Sequence, residues 1–249
     1  MIDYRVTIPF SMTKAISVIA DTEFRMMPEY VSVAIDGPVG AGKSTIARAA
    51  AAALGYVYVD TGAMYRSVGL YCRRKNTDMG SPVDIAAQLG EISLGIRIID
   101  GVQHIFLNGE DVSEEIRLPE ISMAASAVSA VPEVRGALLG MQREFAEKNN
   151  VIMDGRDIGT VVLPNARVKI FLTASPEIRA KRRFDELKAK GREVTFEEVL
   201  DDLNKRDYND SHRAAAPLRA AEDAVVADTS GLDFEQSVKL VCGLIKERL

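Results

Sequence analysis

Gly37-Pro38-Val39-Gly40-Ala41-Gly42-Lys43-Ser44, preceded by the run Val31-Ser-Val-Ala-Ile-Asp36, decides the fold of this 249-residue chain. The run is short, apolar and β-branched, and it ends at glycines, which reads as a buried strand. Lys43 to Leu54 then reads as an alanine-rich helix stopped by Gly55. Between them the octet satisfies G-x-x-x-x-G-K-[ST], a phosphate-binding loop. Its glycines let the backbone close round phosphate oxygens with successive N–H groups pointing inward. The helix start adds its positive dipole end. Lys43 supplies a point charge for the β- and γ-phosphates, and the Ser44 hydroxyl is a ligand for Mg²⁺. Gly37, Pro38, Val39, Gly40, Ala41, Gly42, Lys43, Ser44 and Thr45 are therefore the candidate ATP-binding residues.

Working outward, Tyr56–Asp60, Val151–Asp154, Val168–Leu172 and Ala224–Ala227 are further short apolar runs, most of them separated by helical patterns. Such alternation predicts an α/β fold: a five-stranded parallel sheet with helices on both faces. Asp154 ends one of these strands, where a carboxylate either supports the metal's water shell or simply caps the strand. Two segments break the rhythm. From Leu94 to Glu110, alternating residues meet the turn pairs Asp100-Gly101 and Asn108-Gly109, which predicts a small antiparallel insertion. After Ser175-Pro176 a charged helix runs to about Lys190. Thr195 opens another, with Glu198 completing a capping box, and this pair is expected to project from the core.

Hydrophobic residues form 47% of the chain and charged residues 27%, enough for a sizeable core. The formal net charge of -5 argues against general attraction to nucleic acid. No apolar stretch reaches the ~18 residues of a membrane span. Cys72 and Cys242 lie far apart without metal-ligand spacing, which suits two small hydrophobes in a reduced cytoplasm. His104 and His212 lack partners for metal or triad chemistry and read as surface residues. Residues 1–30 show no clear period, and the run Ala15–Ala20 is too short for a secretory core. They read as a disordered extension or as the product of an upstream start codon, leaving 31–249 as the domain.

A phosphate loop alone suits kinases, switches and motors. Asn204-Lys-Arg-Asp207 matches the guanine-reading N-K-x-D pattern, but it lies in a charged helical run rather than after a buried strand, and reads as accidental. Arg66, Arg117, Arg135, Arg156, Arg206 and Arg213 stand in loops and at element ends. Arginine's fork binds phosphate bidentately, so several converging would make an acceptor site; singly, each is a surface ion pair.

Together with the loop, Asp60-Thr-Gly-Ala-Met-Tyr-Arg66, Glu115-Ile-Arg117, Asp154-Gly-Arg-Asp-Ile-Gly-Thr160, and Lys205-Arg-Asp-Tyr-Asn-Asp210 through Arg213-Ala-Ala-Ala-Pro217 resemble the bacterial cytidylate kinases over Val31 to Leu249. The resemblance implies a P-loop kinase core with an acceptor-binding insertion (about 66–145) and a helical lid (about 179–213). It implies transfer of the γ-phosphoryl group of ATP to CMP, and to dCMP, with Mg²⁺, by a cytoplasmic monomer. Ser126, Arg135 and Asp157 would read cytosine, and Arg206 and Asp210 would hold the sugar. Arg66, Arg156 and Arg213 would hold the acceptor phosphate, with Thr61 beside them, where some members carry serine. Arg182 or Arg183 would meet ATP from the lid. Lys43, Arg156 and these lid arginines would carry catalysis, and Ser44 and Asp154 the metal. Cytosine's N4 amine donates to a carboxylate such as Asp157, whereas uracil offers an oxygen there. Other acceptors (UMP, dTMP, shikimate) and a nucleotide-dependent switch are the competing readings. The acceptor phosphate is already largely dianionic at neutral pH, so no general base is expected.

Overall fold

The computed structural model describes residues 2–7 and 30–249. Their elements run β1 (Ile2–Thr7), β2 (Ser32–Asp36), α1 (Lys43–Leu54), β3 (Val57–Asp60), α2 (Thr61–Arg74), α3 (Pro82–Ala87), β4 (Ser93–Ile99), β5 (Val102–Leu107) and β6 (Glu110–Asp111). There follow α4 (Pro119–Ser129), α5 (Pro132–Lys148), β7 (Val151–Gly155), β8 (Val168–Thr173), α6 (Pro176–Ala189), α7 (Phe196–His212), β9 (Val225–Asp228) and α8 (Phe234–Lys246).

Five strands pair in parallel in the order β3-β7-β2-β8-β9. All five are those predicted from the apolar runs. The three central residues of β2 and the first three of β7 are wholly buried, because helices cover both faces and neither side of these strands meets water. On one face α1 and α8 pack through Ile46, Ala47, Val241 and Ile245; on the other, Met64, Val68, Leu138 and Phe145 of α2 and α5 form the larger core. The register sets Asp36 opposite Gly155 and Asp60 opposite Asp154. Three strand ends, with the loops that leave them, therefore open on one crevice, where ligands of open α/β sheets bind.

The predicted insertion is a separate antiparallel sheet in the order β1-β4-β5-β6. Asp100 and Gly101, with φ of 51° and 76°, close the β4–β5 hairpin, and Asn108 and Gly109 repeat the device at 50° and 88°. Within the extension, read above as disordered or as the product of an upstream start codon, residues 2–7 form β1. Their strand pairs with β4 from Ile2↔Ile98 to Thr7↔Ser93, satisfying an edge whose N–H and C=O groups would otherwise face water. The rest of the extension, including Ala15–Ala20, lies outside the described residues.

The charged helices are α6 and α7, and the Thr195/Glu198 capping box is present. They form a unit beside the sheet, apart from its two cores. Ala180, Val199 and Leu203 bury a small cluster of their own, and Val39 of the phosphate loop packs against it.

Candidate active site

A cleft of about 410 Å³ opens at the carboxyl ends of β2, β3 and β7. Its floor is the loop between β2 and α1. Gly37 sits so tightly beside β8 that a Cβ there would lie 2.0 Å from the carbonyl oxygen of Leu172. Lys43 is buried, and its ammonium donates to the Pro38 carbonyl at 2.7 Å. Burial first, and then the nearby Arg156 guanidinium, lower its pKa from 10.5 to about 7. Ser44 Oγ donates to Asp154 Oδ2 at 2.8 Å, so the two candidate metal residues meet. Tyr58 donates its hydroxyl to the other oxygen, Oδ1, at 2.8 Å. Burial first, and then Asp60, push the Asp154 carboxyl above its usual range.

Opposite the loop stand the arginines. Arg66 Nη2 donates to Asp60 Oδ2 at 2.7 Å, and Asp60 also caps α2 by accepting from the Ala63 N–H. Thr61 donates to the Asp154 carbonyl. Arg156 Nε pairs with Asp210 at 2.7 Å. Asp157 is buried and accepts from Arg135 and, at 3.2 Å, from Arg213. Its ion pairs are therefore with these two rather than with the adjacent Arg156. Burial lifts the Asp157 carboxyl above its usual range, with the two guanidiniums opposing.

The cleft brings together Val39, Gly40, Gly42, Lys43, Ser44, Thr45, Thr61, Arg66, Ser126, Arg135, Asp154, Arg156, Asp157, Arg206, Asp210 and Arg213 from the sequence-derived set. Gly37, Pro38 and Ala41 of the loop are buried and do not line the cleft. The two lid arginines separate. Arg183 lines the cleft, whereas Arg182 donates to the Thr229 carbonyl at 2.8 Å and does not line it.

Several participants escaped the sequence reading. Asp36 accepts from the Ile158 and Gly159 N–H groups, both at 2.7 Å, tying the start of the loop to the turn that follows Asp157. Burial, above all, raises its pKa from 3.8 to about 6. Gln103 of the antiparallel sheet accepts from the Asp60 N–H at 2.8 Å and donates to the Asp60 carbonyl at 3.2 Å. Tyr58, Ser122 and Ser129 complete the set, the two serines lining the cleft. None belongs to a motif; only the strand-end position of Asp36 beside the glycine loop offered a signal.

A phosphate-gripping loop facing convergent arginines across one crevice defines a P-loop phosphotransferase with two anionic substrates. The model of the cytidylate kinase family matches residues 33–247, and the chain belongs to that family. The cytidylate kinase of Caldicellulosiruptor bescii is 53% identical over 214 residues, covering 86% of this chain and 95% of that protein. That of Caldanaerobacter subterraneus subsp. tengcongensis is 52% identical over 219 residues, covering 87% and 95%. Among solved structures, a shikimate kinase from Bacteroides thetaiotaomicron aligns at 17% identity over 87% of this chain and 98% of its own, with a TM-score of 0.43, too loose a likeness to carry an argument.

Proposed function

We propose that the chain transfers the γ-phosphoryl group of ATP to CMP, and to dCMP, giving ADP and CDP or dCDP. The observation that carries this reading is one cleft lined both by Lys43 and Ser44 and by Arg66, Arg156 and Arg213. The loop amides and Lys43 grip the donor, and the three arginines grip the acceptor phosphate. Ser126, Arg135 and Asp157 read the base, and Arg206 and Asp210 hold the sugar. With its second pKa near 6, the acceptor phosphate is its own nucleophile at neutral pH. The work left to the protein is alignment and charge neutralisation. Arg156 and Arg183, which both line the cleft, would meet the transferring group, whereas Arg182 donates to the Thr229 carbonyl between β9 and α8.

Ser44 Oγ and Asp154 Oδ2 would hold Mg²⁺. Two hard oxygen donors from the protein suit a small cation that keeps its waters and rides on substrate phosphates. When bound, the ion supplies charge neutralisation on the β- and γ-oxygens. Residues 66–145 serve as the acceptor-binding insertion, and residues 179–213, carrying α6 and α7, as the lid that excludes water. Both cysteines are unpaired, in keeping with a reducing cytoplasm. Among the described residues, no helix is long and apolar enough to cross a membrane. We read the protein as a monomer acting on free nucleotides, without nucleic acid.

The test is ADP release from ATP and Mg²⁺ with CMP, dCMP, UMP, dTMP or shikimate in turn. CMP should give the largest stimulation. Slow ADP release indifferent to every acceptor would overturn the reading in favour of a switch.

A further inference from the structure

The run Asn204–Asp207 lies inside α7, and its last side chain meets the phosphate loop. Asp207 Oδ1 accepts from the Val39 N–H at 3.2 Å, and Oδ2 accepts from Arg179 Nη1 at 2.5 Å. The same nitrogen donates to the Val39 carbonyl at 2.8 Å, while Arg179 Nε donates to the Ala174 carbonyl. One ion pair, with a residue from each charged helix, thus holds both the N–H and the C=O of Val39. The Arg179 side chain is 5% exposed and that of Asp207 21%, so solvent screens the pair little. Gly40 closes the remaining space: its φ is +74°, and a Cβ there would lie 3.2 Å from both Arg179 Cβ and Leu203 Cδ1.

One turn of α7 also faces the other substrate. Arg206 and Asp210 line the cleft, and Asp210 holds Arg156. Residues three and four apart share a helix face. A single turn therefore touches the donor loop through Asp207 and the acceptor side through Arg206 and Asp210.

We propose that Asp207 is a positioning residue that couples the two substrates: an acceptor held at Arg206 and Asp210 fixes α7, and α7 fixes Val39 through Asp207 and Arg179. This rests on the reading of the cleft as a joint donor–acceptor site. Linkage makes the effect reciprocal, so each substrate tightens the other by the same factor.

The experiment is calorimetric titration of AMP-PNP with Mg²⁺ into wild type, Asp207→Ala and Asp207→Asn, with and without saturating CMP. CMP should tighten AMP-PNP binding about fivefold or more in the wild type, the lower end of common couplings. In Asp207→Ala the factor should shrink below about twofold while CMP alone binds normally; a purely structural role would weaken both ligands and leave their ratio unchanged. Asp207→Asn keeps an oxygen for the Val39 N–H but loses the charge opposite Arg179, so its factor should fall between the two. That variant carries the test if Asp207→Ala does not fold. An unchanged factor in the folded variants, or a factor of one in the wild type, overturns the proposal alone. Failure of CMP to bind the wild type overturns the acceptor assignment and this coupling with it.

Discussion

Lys43 offers a direct way to follow nucleotide binding. Its ammonium is buried and its pKa sits near 7, chiefly because burial penalises the charge and Arg156 stands nearby. A triphosphate in the loop supplies the missing counter-charge and must raise that pKa again. Donor binding therefore takes up a proton wherever the pH lies between the free and bound values. The sign follows: affinity falls as pH rises through this window, because a growing share of binding events must first protonate Lys43. At pH 8, one unit above the free value, roughly nine-tenths of Lys43 is neutral, so uptake should approach ~0.9 proton per nucleotide, and affinity should fall about tenfold (~1.4 kcal/mol) for each further unit. At pH 6 uptake from this group should nearly vanish, at about 0.1 proton. The nucleotide's own phosphates are already ionised at pH 8 and do not confuse the count. Titrating ADP into the protein at pH 8, in buffers of widely different ionisation enthalpy, measures the uptake as a slope. Lys43→Ala should abolish both the slope and phosphoryl transfer while the far-UV circular dichroism stays native. A slope near zero in the wild type at pH 8 would refute the claim that Lys43 is largely neutral before nucleotide binds, and near-normal turnover in Lys43→Ala would refute its catalytic role.

Tyr58→Phe removes the hydroxyl donor to Asp154 Oδ1. A buried oxygen left without its donor costs about 1–3 kcal/mol, and Tm should drop by roughly 2–4 °C per kcal/mol for a chain of this size; an unchanged melting curve would show that Oδ1 does not need the tyrosine. Gly37→Ala drives a methyl group to 2.0 Å from the Leu172 carbonyl oxygen. The expected loss is ~3 kcal/mol or more, the upper end for overpacking, read as loss of soluble folded protein or a large fall in Tm. Asp157→Asn offers an NH₂ where a carboxylate stood, so it should lower kcat/KM for CMP by about 10²-fold and narrow the CMP-to-UMP preference at least tenfold; an unchanged preference would remove Asp157 from base reading.

The parallel core was legible because its strands are short runs, apolar but for Lys169 in β8, set between helical patterns. The same holds for the hairpin closed by Asp100-Gly101 and for the start of α7, where local chemistry fixes geometry within four residues. Long-range pairings were not legible. Nothing near Gln103 in sequence indicates that its amide will clip the Asp60 backbone 43 residues away. The partners of Asp157 lie 22 and 56 residues away. The adjacent Arg156 turns instead to Asp210. Arg182 and Arg183 were indistinguishable as neighbours on a charged helix. Their roughly 100° separation round the axis gives Arg183 to the cleft and Arg182 to the carbonyls of Thr229 and Leu232. The pairing of residues 2–7 with β4 was invisible for a related reason, since edge recruitment depends on a vacancy elsewhere in the fold rather than on the strand's own pattern.

Charge shows most clearly why the composition of this chain misleads about its site. Nine basic and five acidic side chains line the cleft, a local surplus of four positive charges when Lys43 is protonated. The whole chain carries -5, so the remainder must carry -9. Beyond a Debye length of ~8 Å at physiological salt the excess acid is screened, and inside the low-dielectric cleft the basic surplus dominates. The five acids do not merely dilute that field. Asp60, Asp157 and Asp210 already hold Arg66, Arg135, Arg213 and Arg156 in ordered positions before any substrate arrives. Fixing a free arginine side chain costs up to ~2 kcal/mol of rotamer entropy, a cost the fold meets in advance rather than at each binding event. The carboxylates thus trade some attraction for aim, and aim is what the alignment of two mutually repelling phosphates demands.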